Sequence, residues 1–169
     1  MELVRHSSLN PEHAGQLVEK LDTLLAEYET YTHNIRNIHW NPRLRPHLDL
    51  SEKVSRLYYF AGQSKEAIAE RIISLGYAPG QMAYEHEQDF GGMDEAPMRI
   101  NKVREVRNYD GAIYAIIHTS QELLEEVKEV FLLAASYKEK GTIELMGNLA
   151  QQLLFTIGIF AATRLASQN

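Results

Sequence analysis

The sequence predicts an all-α protein: a bundle of four long helices with one extended connection between the second and the third. Three observations carry that prediction. Apolar residues recur at helical spacing along three long stretches, the period of a helix with a buried face, and a fourth long stretch is apolar almost all round. Helix-start and helix-stop residues bracket those stretches. From residue 77 to about 108 the periodicity fades while prolines and glycines accumulate. At 169 residues, 44% of them hydrophobic, the chain suits one domain, residues 1–169, with a core of useful size.

Asn10-Pro11-Glu12 reads as a helix start, with an Asn cap, Pro at the first helical position and an acid in the first turn. Leu17, Leu21, Leu24, Tyr28, Tyr31, Ile35 and Ile38 then form a stripe that continues to about Asn41, where Pro42 and Pro46 break it. Asp49, followed three residues later by Glu52, resembles a capping box, so a second helix is expected to begin there. Its apolar face is Val54, Leu57, Ala61, Ile68, Ile72 and Leu75, interrupted around Ser64-Lys65, and Gly76 is its expected C-cap. The segment YAPGQMAYEHEQDFGGMDEAP reads as a long connection, with room for a short helix near Ile100–Val106.

A third helix is expected from about Tyr109 to Lys138, on Ile113, Ile117, Leu123, Leu124, Val127, Val130, Phe131 and Ala134, closed by Gly141. Thr142 is the expected cap of a fourth helix reaching roughly Ser167. That helix is apolar almost all round (Leu149, Leu153, Leu154, Phe155, Ile157, Ile159, Phe160), so a second cover is expected, from another subunit. Two helical hairpins joined by one long connection is the ferritin-like way of closing a four-helix bundle.

Composition excludes several classes. With no cysteine there is no disulfide framework, thiolate zinc site or cysteine nucleophile, which suits a reducing cytoplasm. A formal charge of −6 opposes nucleic-acid phosphates. The opening MELVRHSSL is too polar for a signal peptide's core. The longest apolar run noted, LLFTIGIFAA, is about half the ~20 residues a bilayer span needs, so a soluble protein is expected.

The candidate chemistry centres on IHWNPRLRPHLDLSEK, residues 38–53, where a helix closes on His39-Trp40 and the next restarts within a turn. No Glu-x-x-His lies on any of the four helices, so a metal centre inside one bundle is not expected. Glu29 and His33, and His118 and Glu122, are spaced as surface helix pairs. Glu66 and Glu70 are one turn apart and able to close on one cation. Spacing alone favours a solvated helix edge paired with Lys65 and Arg71. His39 alone reads as a helix-terminal histidine bonding the last carbonyls.

The order NIHWN, then a new helix start, then EAIAERIISLG resembles the DNA-protection-during-starvation (Dps) family of mini-ferritins, without a gap from about Asn37 to Gly76. The resemblance implies an iron site shared by two subunits. His39 would come from one chain, and Glu66, at the family's Asp position, with the bridging Glu70 from its twofold partner. Trp40 would be the tryptophan that packs beside the iron. It further implies a homo-oligomeric cage, a dodecamer built on twofold dimers. Such a cage takes Fe(II), oxidises it with peroxide or oxygen as a ferroxidase, and stores Fe(III) against oxidative stress. Glu144 aligns loosely with the acids of the family's pores.

The chain departs from that pattern at Ser51, where the second family histidine falls, and at Ser55, where an acid is usual. Hydroxyls are poor ligands beside imidazole or carboxylate, so one occupied iron position per site is expected, or a neighbouring one held mostly by water; His47 is a weak substitute donor. The alternative reading is a cage with a degenerate, largely inactive site that serves as a structural or metal-sequestering protein. DNA binding is expected to be weak or absent. The N-terminal tail and the terminal ASQN hold a single cation, Arg5, and the clusters Arg36, Arg43, Arg45 and Lys102, Arg104, Arg107 read as solvated or ion-paired. No membrane partner is expected.

Overall fold

The computed structural model describes residues 9–44, 46–80, 106 and 108–166. They form four long helices: α1 (Pro11–His39), α2 (Leu48–Ser74), α3 (Tyr109–Ser136) and α4 (Lys140–Ala166). Among the described residues there is no strand. The short helix expected near Ile100–Val106 lies, apart from Val106, outside the described residues.

The ends follow local chemistry, sometimes against the sequence expectation. Asn10 caps α1 as expected, its side chain accepting from the His13 N–H at 2.8 Å. The helix stops at His39, and Trp40 and a 3₁₀ turn at Pro42–Leu44 follow. The capping box at Asp49 and Glu52 does not form. α2 begins earlier, at Leu48, with His47 at its cap position and no side-chain cap bond. Asp49 instead accepts from the Tyr109 hydroxyl at 3.3 Å, and Glu52 from Arg56 at 2.6 Å. α2 ends as expected, with Gly76 at φ 91°, a left-handed position where a Cβ is strained.

The α3–α4 corner also differs. α3 ends at Ser136 and the chain turns through Lys138 at φ 55°, while Gly141, the expected stop, lies inside α4. The reason is Glu139. Its carboxylate accepts from the Gly141 and Thr142 N–H groups at 3.2 and 2.7 Å, taking the capping role expected of Thr142. The buried Thr142 hydroxyl accepts from Arg71 Nε at 3.1 Å, and Arg71 Nη2 lies 2.7 Å from Glu139.

Cross-helix bonds fix the directions. Lys20 pairs with Glu129, Tyr31 with Ser120, and Asn41 with the Val106 carbonyl, so α1 and α3 are antiparallel. Arg71 meets Thr142, Ser64 meets Gln152 and Lys53 meets Thr163, so α2 and α4 are antiparallel too. Since α1 and α2 form a hairpin, α2 and α3 run parallel, and the connection between them must travel the bundle's length, about 40 Å for helices of this size. That is the ferritin-like topology.

Every residue of the expected α1 and α2 stripes is buried. The break in the α2 stripe is filled by Ser64, whose hydroxyl lies 2.9 Å from the Phe60 carbonyl and 3.2 Å from Gln152 Oε1. On α4, Leu149, Leu153 and Phe160 enter the core, whereas Leu154, Phe155 and Leu165 stay more than half exposed. By length and composition α4 is apolar enough to cross a bilayer, which corrects the expectation that no stretch is. The apolar run is longer than LLFTIGIFAA because Leu145, Met146, Leu149 and Ala150 extend it. Several of these side chains are partners in the bundle core.

Candidate metal centre

His39 is the last residue of α1. Its Nδ1 is buried and has no hydrogen-bond partner, so that nitrogen does not cap the helix carbonyls. Trp40 beside it is 65% exposed, with the Arg36 guanidinium 5.1 Å above its ring. Arg36 Nη2 also lies 2.9 Å from His33 Nδ1, and no acid among the described residues pairs with it.

Glu66 and Glu70 stand one turn apart on the exposed side of α2. The ion pairs expected with Lys65 and Arg71 are not there. Lys65 reaches Glu29 at 3.4 Å and Arg71 reaches Glu139, because both cations lean toward neighbouring helices. Both carboxylates are thus left without an ion-pair partner among the described residues.

The register of the α1–α2 hairpin separates the two halves of the expected site. Glu29 meets Lys65 and Tyr28 bonds Ser64, which places His39 level with about Lys53–Ser55 of its own α2. Glu66 and Glu70 lie roughly 20 Å further along that helix at 1.5 Å per residue. No group of three His, Cys, Asp or Glu side chains converges among the described residues. One chain therefore holds an imidazole at one level and a carboxylate pair at another. The donor types suit Fe(II), an imidazole with hard oxygens, but the fold of a single chain does not bring them together.

The remaining candidates are placed as follows. Ser51 is half-buried and Ser55 exposed, both in the first turns of α2. His47 is exposed and its ring rests against Tyr109 at 4.6 Å, facing the start of α3. His118 and Glu122 form a surface pair at 3.4 Å, as expected. Glu144 is exposed near the start of α4 and Arg43 is exposed in the 3₁₀ turn. Arg45, Lys102, Arg104 and Arg107, with both terminal tails, lie outside the described residues.

The bundle centre itself is neutral. Tyr31 Oη lies 2.8 Å from the buried Ser120 Oγ there, and Tyr28, Tyr31, Ser64 and Gln152 line a cavity of about 20 Å³ that reaches the helix edge, room for one water. Burial pushes both tyrosine hydroxyls well above their ordinary range, so they stay protonated. Sequence reasoning missed a second feature. Tyr59, Gln63 and Ile73 continue the line of Glu66 and Glu70 at spacings of four and three, and all are exposed. The same spacing that singled out the two glutamates would have found them.

The fold is that of a ferritin-like four-helix bundle. No family model matches the chain. The resemblance to DNA-protection-during-starvation proteins extends along most of it. DNA protection during starvation protein 2 of Bacillus anthracis is 23% identical over 141 residues, covering 82% of this chain and 89% of that one. An uncharacterized protein of Haemophilus influenzae is also 23% identical, over 157 residues and 91% of both chains. Among solved structures, the Dps protein of Vibrio cholerae O1 superposes with a TM-score of 0.76 at 20% identity, covering 91% of this chain and 92% of that one. At such identity the superposition establishes the shared fold.

Proposed function

We propose that the whole chain is one mini-ferritin subunit of the Dps type. It binds Fe(II) between twofold-related subunits through His39 of one and Glu66 and Glu70 of the other. It oxidises the iron with peroxide or oxygen and keeps Fe(III) inside a cage, a dodecamer in the cytoplasm. The observation that carries this reading is the split donor set. An imidazole at the end of α1 and two carboxylates with no ion-pair partner among the described residues sit roughly 20 Å apart along one hairpin, and an antiparallel second copy is the simple way to join them. His39 would orient as the nitrogen donor, Glu66 and Glu70 would neutralise the cation, and Trp40 would shield the imidazole's outer side. DNA binding is weak or absent, since the subunit carries −6 and the one described arginine of the first basic cluster with a partner, Arg36, is engaged by His33 and Trp40.

Complementation tests the shared site. His39→Ala and the Glu66→Gln/Glu70→Gln double variant should each lose saturable Fe(II) binding and oxidation. Co-refolded at equal amounts, the two should regain about a quarter of the wild-type sites, because half the dimers are mixed and each rebuilds one of two sites. No recovery would rule out a site divided between chains.

Ser51 and Ser55 favour one further reading, a cage that assembles and sequesters metal without efficient oxidation. Stopped-flow oxidation of stoichiometric Fe(II) separates the two: a rate no faster than in buffer, with binding retained, selects the sequestering cage.

A further inference from the structure

If the shared site is as proposed above, its electron count is incomplete: one Fe(II) supplies one electron and peroxide takes two. Ser51 and Ser55 offer no ligand set for a second iron. We propose that Tyr59 supplies the missing electron, and that the two Tyr59 side chains of a dimer then join across the twofold axis.

Position carries the argument. Tyr59, Gln63, Glu66, Glu70 and Ile73 form one exposed line on α2. The Tyr59 hydroxyl accepts from Gln63 Nε2 at 2.9 Å, which ties the ring to that line. In a twofold dimer, if one residue faces a second, the second faces the first. His39 is level with about Lys53–Ser55 of its own α2, and the proposed site sets that level against the partner's Glu66 and Glu70. The axis then crosses α2 midway, between Tyr59 and Gln63. Each Tyr59 lies within a turn of its own copy and about 10 Å along the helix from Glu66.

The other aromatic donors are less suited. A guanidinium stands over the Trp40 ring, and a positive charge there opposes removal of an electron. Tyr28 and Tyr31 are buried and bonded to serine hydroxyls, which are poor acceptors for the proton a phenol must release. Tyr59 lies on the outer side of α2, and its hydroxyl is bonded to the Gln63 side-chain amide rather than to a serine.

The step balances. The O–O bond of hydrogen peroxide breaks as one electron comes from Fe(II) and one from Tyr59. The phenol's proton and one proton from solvent complete two waters, leaving Fe(III) and a neutral tyrosyl radical. Two such radicals, one from each site of the dimer, couple through ring carbons ortho to their oxygens, and the two displaced ring hydrogens return to the oxygens.

The assay loads the intact protein anaerobically with Fe(II), adds hydrogen peroxide, and reads three signals: dityrosine fluorescence, a dimer resistant to denaturing electrophoresis, and iron oxidised per peroxide consumed. The wild type should give fluorescence, the covalent dimer, and one iron per peroxide in the first turnover. Tyr59→Phe should lose both crosslink signals and shift to two irons per peroxide while keeping its Fe(II) binding and assembly. Tyr58→Phe should behave as wild type. Crosslinking unchanged in Tyr59→Phe, or a wild type that oxidises two irons per peroxide with no dityrosine, overturns the tyrosine's role and leaves the shared site standing. A wild type that oxidises no iron beyond the buffer rate overturns both the tyrosine's role and the oxidation proposed for the shared site.

Discussion

Glu139 is the residue on which the second hairpin turns. Burial alone would raise its carboxyl, but the Thr142 hydroxyl and N–H, the Arg71 guanidinium and the Gly141 N–H together hold it below the ordinary value of 4.5. A carboxylate whose folded pKa is lowered contributes stability that is fully present above the unfolded value and is lost as pH falls through the folded one. The wild type should therefore lose stability on acidification below about pH 4.5, and Glu139→Gln should flatten that part of the profile. At neutral pH the same variant should cost about 1–3 kcal/mol, since Arg71 keeps Thr142 but loses its charge partner in a mostly buried site. Chemical denaturation of both proteins across pH 3–7 checks it; parallel profiles would show that Glu139 is not the titrating latch. Gly141 belongs to the same contact: a Cβ there would stand 2.5 Å from Arg71 Nη1.

The individual helices show how far local sequence reaches. Asn10 caps α1 with its own side chain, and Asn10→Ala should lower stability by about 1 kcal/mol, read as a lower thermal midpoint with α-helical signal otherwise unchanged. That cap was legible because Asn, Pro and Glu each act within one turn of the residue they serve. The stripes of α1 and α2 were legible for a similar reason, since the 3.6-residue period alone decides which side is apolar. The start of α4 was not. Glu139 caps it with help from Arg71, a residue more than sixty positions away, and no local pattern reports that contact. Asp49 misled for the same cause, its carboxylate being drawn to Tyr109 at the start of α3. On α4 the composition announced an apolar surface on most sides, but only packing against α3 and α2 decides that Leu153 is inside and Leu154 outside. The candidate site divides in the same way. His39, Glu66 and Glu70 stand out by residue type and order, whereas the distance between them depends on the register of α1 against α2, set by Lys65–Glu29 and Tyr28–Ser64.

At the scale of the molecule two exposed faces need partners. One is the α2 line through Tyr59 and Ile73; the other is the outer side of α4, with Leu154, Phe155 and Leu165. The α4 face, with Leu154 beside Phe155, is the apolar one of the two, and exposed apolar surface on a single chain marks an interface. On the assembly proposed above, twofold contact through α2 would make a closed pair and stop there, so a cage would require a second, different contact, for which we propose α4. The groove beside Leu154, floored by Leu124 and Ile157 and rimmed by Glu122 and Glu125, gives that contact both shape and sign. The Leu154→Glu/Phe155→Glu double variant should therefore halt assembly at the twofold dimer. Because His39, Glu66 and Glu70 are untouched, that dimer should still bind Fe(II) with the wild-type number of sites per chain, although no ferric core can be retained. Analytical ultracentrifugation with an iron titration on the same sample reads both outcomes. A full-size particle would remove α4 from the assembly, and a monomer that still binds Fe(II) tightly would place the site within a single chain, against the register of the hairpin.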